Sequence, residues 1–184
     1  VTTVLLVSGS TRAGSTNTAL LRTAAAMDPA RTRLYDGLAA LPAFNPDDDV
    51  EPLPPAVADL RGALAAADAL LICTPEYAGA LPGAFKNLLD WTVGGAEMPG
   101  LPVGWINAAG VAAPTGGRGA HTELATVLGY VQARVVDAAC RRVPLTRAQV
   151  GDDGLIADPA VRAEIAAALD AVCGCAAGEQ KVGL

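Results

Sequence analysis

The sequence predicts one α/β domain built on a doubly wound parallel sheet. Five short apolar runs alternate with five segments of helical periodicity. The first of them, Val1 to Ser8, reads as a continuous apolar strand, suited to a sheet covered on both faces. The length, 184 residues, suits a single core, and no repeat or composition break divides residues 1–184.

The first strand is Val1 to Ser8. A helix follows from Asn17 to Met27, stopped by Pro29, and Thr32 to Tyr35 forms a short second strand. Leu41 to Pro55 is rich in proline and acid and reads as a surface connection. Pro54 and Pro55 open a second helix, whose residues Val57, Leu60, Leu64 and Ala67 share one face. Ala69 to Thr74 is the third strand, and Gly83 to Thr92 the third helix, with Phe85, Leu88 and Leu89 on one face. The fourth strand is Pro102 to Asn107. A glycine-rich loop leads through Gly119 to a helix carrying Leu124, Val127, Leu128 and Val131. Ala133 to Asp137 starts the fifth strand. Asp158 caps the last helix, Pro159 suits its first turn, and Gly174 ends it.

Composition narrows the function. Hydrophobic residues make up 52% and aromatic residues only 4%, so the chain folds around an aliphatic core. The net charge of −6 and the lack of a basic patch argue against nucleic acid as a partner. No apolar stretch is long enough for a membrane helix, and VTTVLLVSGS does not read as a signal peptide. Cys73, Cys140, Cys173 and Cys175 have neither zinc spacing nor a C-x-x-C, and read as reduced thiols of a cytoplasmic protein. No metal site is expected.

Two loops carry the chemistry. The first, VSGSTRAGSTN, leaves the first strand and opens the first helix. Small residues allow close approach to the backbone, Ser10, Ser15, Thr16 and Asn17 supply hydrogen-bonding groups, and Arg12 supplies a planar fork for phosphate oxygens. The helix start adds N–H groups and a positive dipole end. The loop lacks the lysine of a Walker A motif and the second glycine of the dinucleotide fingerprint. It reads as a phosphate handle, or else as a plain capped turn. It contains no general base. The second loop, TPEYAGALPGAFKNLLDWT, follows the third strand. In the strand order 2-1-3-4-5, strands one and three are neighbours, so both loops meet at the carboxyl edge where a flavin binds in flavodoxin-like folds. The loop from Ala108 to Gly119 borders the same place.

These two motifs resemble those of the NADPH-dependent FMN reductases of flavodoxin-like fold. Gly9, Ser10, Arg12, Ser15 and Asn17 match the family's first motif. Pro75, Glu76, Tyr77, Gly79, Pro82, Gly83, Lys86, Asn87, Asp90 and Trp91 match its second. The resemblance covers about residues 2–172. Ala78 and Ala80 depart from it, standing where the family usually has Asn and often has Ser.

The resemblance implies an FMN-dependent oxidoreductase. It takes a hydride from NADPH or NADH and passes electrons to a small acceptor: a flavin, quinone, azo compound or metal oxyanion. Ser10, Arg12, Ser15, Thr16 and Asn17 would hold the FMN phosphate. Pro75, Glu76, Tyr77, Ala78 and Gly79 would line the ribityl and ring region, and Gly116 and Arg118 would lie near the flavin edge. Arg118 has two readings, a nicotinamide phosphate ligand or a tie within its own loop. No side chain is assigned as catalytic, since the flavin carries the chemistry. A homodimer or homotetramer is implied; Trp91 reads as a packing residue, and the other reading has Phe85, Leu89 and Trp91 facing a second subunit. The rival readings are a flavin-binding electron carrier without turnover and a cofactor-less interaction domain.

Overall fold

The computed structural model describes residues 2–180; Val1 of the expected first strand lies outside them. Six strands form one sheet: β1 (Val4–Ser8), β2 (Thr32–Tyr35), β3 (Ala69–Cys73), β4 (Pro102–Asn107), β5 (Arg134–Val135) and β6 (Arg141–Arg142). Interleaved with them are helices α1 (Thr16–Met27), α2 (Pro55–Ala65), α3 (Gly83–Asp90), α4 (Arg118–Tyr130) and α5 (Pro159–Gln180). The order is β2-β1-β3-β4-β5, all parallel, as expected from the sequence. It is the flavodoxin-like arrangement, and it brings the loops after β1, β3 and β4 to one edge.

The unbroken apolar strands divide their side chains between two cores. Val4 and Leu6 of β1, with Leu71 and Cys73 of β3, pack under α1 and α5. Leu5, Val7, Leu70 and Ile72 pack under α2, α3 and α4. Every residue of β1 and β3 is buried. Each such leucine contributes roughly 1.5–3 kcal/mol of burial free energy, so any slip that exposes the run is penalised heavily.

The right-hand edge differs from expectation. The fifth strand is not a continuous run from Ala133 to Asp137. Strand β5 pairs with Pro102 and Val103 at the start of β4, a tight turn intervenes at Asp137–Ala139, and β6 pairs with Ile106 and Asn107 at its end. The turn lies directly over Gly104, where a Cβ would collide with that of Ala139 and come within 3.1 Å of Val172. The break in the ladder thus brings a small buried residue onto the sheet where a regular strand would present its edge. The pair Arg141-Arg142 lacks the apolar pattern of a strand and left no signal in the sequence.

Two further expectations are corrected. Phe85, Leu89 and Trp91 are fully buried within this chain, so they do not face a second subunit. Trp91 and its neighbours instead fasten the proline-rich connection. The Trp91 indole N–H donates to the carbonyl of Pro42 (2.9 Å), as does the Asn87 amide (2.8 Å), while the Asn87 amide oxygen accepts from the Phe44 N–H. Phe44 meets the Trp91 ring edge-on at 5.0 Å. Lys86 and Asp90, one helical turn apart, pair at 2.5 Å. Gly174 does not end α5, which runs to Gln180. The ~1 kcal/mol propensity cost of a mid-helix glycine is offset by burial of Val172, Cys173 and Ala176 around it. The helix start is as expected, with Asp158 accepting from Ala160 N–H at 2.8 Å.

Candidate cofactor site at the carboxyl edge

The loop after β1 uses most of its polar side chains to shape itself. Ser15, buried, caps α1 by accepting from the Thr18 N–H at 3.4 Å. Asn17, also buried, accepts from the Cys73 thiol at 3.2 Å and so ties α1 to β3. Ser10 accepts from the Arg12 N–H at 3.3 Å, and the hydroxyls of Ser8 and Thr18 pair at 2.8 Å. What faces outward is Thr16, the exposed Arg12, and the first-turn N–H groups of α1, which no helical carbonyl can reach. That is the donor set of an anion site at a helix N-terminus. Arg147, from the segment after β6, reaches over and donates to the carbonyl of Gly14. With Arg12 and Arg22 it lines a hollow of about 470 Å³ beside the loop. Sequence reading missed Arg147 because its segment carries no periodic pattern.

The loop after β3 is a two-residue hairpin. Tyr77 and Ala80 exchange both backbone hydrogen bonds (3.1 and 3.0 Å) around Ala78 and Gly79, whose φ values are +52° and +79°. This is the geometry in which Asn-Gly is favoured. Ala78 occupies a left-handed position that alanine adopts only at a cost of roughly 1–2 kcal/mol. Asn adopts this position more readily than Ala.

Two glutamates lock this hairpin to α4. The Glu76 carboxylate accepts from the Thr115 hydroxyl and, at 3.1 Å, from the Ala120 N–H in the first turn of α4. The Thr115 hydroxyl first, and then that N–H, hold its pKa below the ordinary carboxylate value. In return Glu123 of α4 accepts from the Leu81 N–H at 2.6 Å. The approach is so close that a Cβ on Gly119 would collide with the Gly79 carbonyl. Glu76 thus does for α4 what Gly117, at the cap position and without a side chain, cannot.

The third loop is held by Asn107 at the end of β4. Its amide donates to the Gly116 carbonyl at 2.8 Å and its oxygen accepts from the Ala109 N–H at 2.9 Å. Between the three loops lies a crevice of about 260 Å³. Of the residues expected at the site, it brings together Thr16, Asn17, Pro75 and Glu76. Opposite them stand Thr115 and the small residues Ala108 to Gly110. Ser10 and Arg12 open onto a separate 280 Å³ hollow on the β2 side, and Ser15 lines the one shared with Arg147. Tyr77, Ala78 and Gly79 form an exposed turn. Gly116 belongs to the loop that Asn107 holds. Arg118 lies apart, in a groove with His121.

The edge suits FMN. Small residues flank the crevice, a helix start with an exposed arginine stands beside it, and Thr16 and Glu76 offer polar edges. Its volume lies near the lower end of the range for ligand clefts. Among the described residues no group of three His, Cys, Asp or Glu side chains could hold a metal ion.

Known proteins agree with this reading. The chain is 38% identical over 108 residues to an NAD(P)H-dependent FMN reductase of Pseudomonas aeruginosa, covering 57% of this chain and 58% of that one. It is 36% identical over 122 residues to a probable NADPH:quinone oxidoreductase of Oryza sativa, covering 63% and 57%. The chain thus spans a little over half the length of these relatives. A flavoenzyme NAD(P)H:acceptor oxidoreductase of Paracoccus denitrificans has the same fold, with a TM-score of 0.78 at 24% identity over 94% of this chain and 97% of that one. The sequence profile of one family matches residues 2–144, from β1 past β6 and through all three loops of the carboxyl edge. On that match the chain belongs to the NADPH-dependent FMN reductase family.

Proposed function

We propose that residues 1–184 act as one FMN-binding domain that oxidises NADPH or NADH and reduces a small acceptor. The observation that carries this reading is a crevice of small residues at the switch point of the sheet, beside a helix start and an exposed arginine. Arg12, Thr16 and the first-turn N–H groups of α1 would hold the phosphate. Ser10, Ser15 and Asn17 keep that loop in shape. Pro75, Glu76 and the Tyr77–Gly79 turn would border the ring on one side and the Gly116 loop on the other. When bound, FMN supplies hydride acceptance and electron transfer. The chain's own residues bind it, orient it and leave one side open. Relatives named quinone reductase, azoreductase and FMN reductase support a small electron acceptor.

The same reading places the protein in the cytoplasm, which its four free cysteines suit. It makes the protein a homodimer or homotetramer. Exposed Tyr77 and Val111, at 55% and 83%, support a second copy at the rim of the site in place of the buried face of α3.

The test is a visible absorption spectrum of the purified protein with added FMN, then with NADPH in the absence of oxygen. A bound flavin spectrum that bleaches is the expected result. A bound flavin that stays oxidised would make the protein a carrier, and no bound flavin at excess FMN would overturn the reading.

A further inference from the structure

Beyond the crevice, on the far side of the Gly116 loop, lies a groove of about 730 Å³ between α4 and β6. Its charged lining is Arg118 from α4 and Arg141 and Arg142 from β6, with no carboxylate. In a chain with 19 acidic against 13 basic residues, three arginines without an acid are a local reversal of charge. Glu164 of α5 reaches one of them, pairing with Arg141 at 3.2 Å. Arg118 and Arg142 are exposed, with no ion pair among the described residues.

Two of the residues that line the groove each carry a buried polar atom without a partner. One is the Nε of Arg141. The other is the Nε2 of His121, a side chain only 9% exposed. His121 Nδ1 lies 2.6 Å from the Gly117 carbonyl, which can only accept, so Nδ1 carries the proton and Nε2 is a bare acceptor. A buried donor and a buried acceptor without partners are each costly, and here both belong to residues lining one groove.

We propose that this groove binds a phosphate group, held by Arg118, Arg142 and the free Nε–H of Arg141 and met by His121 Nε2, and that it docks the 2′-phosphate of NADPH. A phosphate monoester has the chemistry required, with oxygens for the guanidinium forks and an O–H for the imidazole. The second half of the proposal rests on the reductase reading. The groove and the candidate flavin crevice share one wall. Asn107 of the groove holds the Gly116 loop, and Arg142 Nη2 lies 3.0 Å from where a side chain on Gly116 would begin.

His121 is the only histidine, so its imidazole gives a single resonance to follow. The flavin-loaded protein is titrated with inorganic phosphate, and separately with NADP⁺ and NAD⁺, which cannot reduce the flavin. The expected result is a saturable shift of the His121 signal with phosphate, and with NADP⁺ at concentrations at least about tenfold below NAD⁺. Arg142→Gln, an exposed change, should weaken the phosphate and NADP⁺ responses by about tenfold or more. No shift with any of the three would overturn the site. A phosphate shift with NADP⁺ no better than NAD⁺ would overturn the 2′-phosphate role. If the protein takes up no flavin yet phosphate moves His121, the reductase reading falls and the anion site stands.

Discussion

Strands β1 and β3 pair over five residues, all of them buried, while the right-hand neighbour of β4 consists of two dipeptides with a turn between them. Both arrangements end at the same edge of the sheet, with different results. Beside the regular ladder, two loops leave neighbouring strands in register and meet in a crevice of small residues. Beside the broken ladder, the chain turns over Gly104 and returns with Arg141 and Arg142 at the end of β4. A regular strand five would have carried apolar residues there. The irregular edge is what places positive charge next to the candidate flavin site. Regular pairing fixes where a cofactor can sit, and interrupted pairing decides what chemistry surrounds it.

That contrast can be tested by breaking each side. Leu71→Ala, in the middle of the β3 ladder, should cost about 2–5 kcal/mol, read as a lower urea midpoint with unchanged slope. A loss well below that would mean the ladder is less tightly packed than its burial indicates. Arg12→Ala should weaken FMN binding on the order of ten- to hundredfold, the worth of one charged hydrogen bond. A flavin fluorescence titration checks this, and unchanged affinity would remove Arg12 from the phosphate site. Gly104→Val, under the broken edge, should destabilise by about 1–3 kcal/mol through overpacking against Ala139 and Val172. Neutral behaviour would show that the turn can lift without cost. At the hairpin, Ala78→Gly should stabilise by up to about 1 kcal/mol, the left-handed strain it relieves being partly offset by the greater entropy of the unfolded chain. A loss of stability would mean that the turn is not of the Asn-Gly kind.

The weakest effect sharpens the comparison by pH. The Glu76 carboxyl is held below its ordinary value of 4.5 by the Thr115 hydroxyl and the Ala120 N–H. Its charged form therefore stabilises the hairpin–α4 lock above that pH, and the contribution fades as pH falls through the lowered value. Burial holds His121 below its ordinary value of 6.5, so charging it on acidification destabilises in the same direction. Melting curves of the parent and of Glu76→Gln should differ most near neutrality and converge in acid. Parallel curves would remove Glu76 from the lock.

Several features were legible in the residues themselves. The apolar runs gave β1, β3 and β4 nearly to their ends, because a parallel strand buried on both faces needs an unbroken run. The cap at Asp158 was visible because its geometry is local. Other features were not. The role of the K-N-x-x-D-W segment in fastening Pro42 and Phe44 is a contact between segments 43 or more residues apart. Gly174 looked like a stop because local propensity was weighed without the core that α5 packs against. Ser15 and Asn17 looked like ligand donors because the sequence does not show that a cap and a thiol engage them first.

By itself, the sequence determined the layers of this protein, the order in which its strands and helices follow one another, and the family to which its loops point. Those depend on periodicity and on short motifs, which act over a few residues. Only the tertiary structure decided which polar groups remain free at the carboxyl edge. It also showed that two glutamates lock the hairpin to α4 and that a broken edge strand carries arginines beside the crevice. These depend on which distant segments come into contact, and hydrogen-bonding capacity is assigned only when they do.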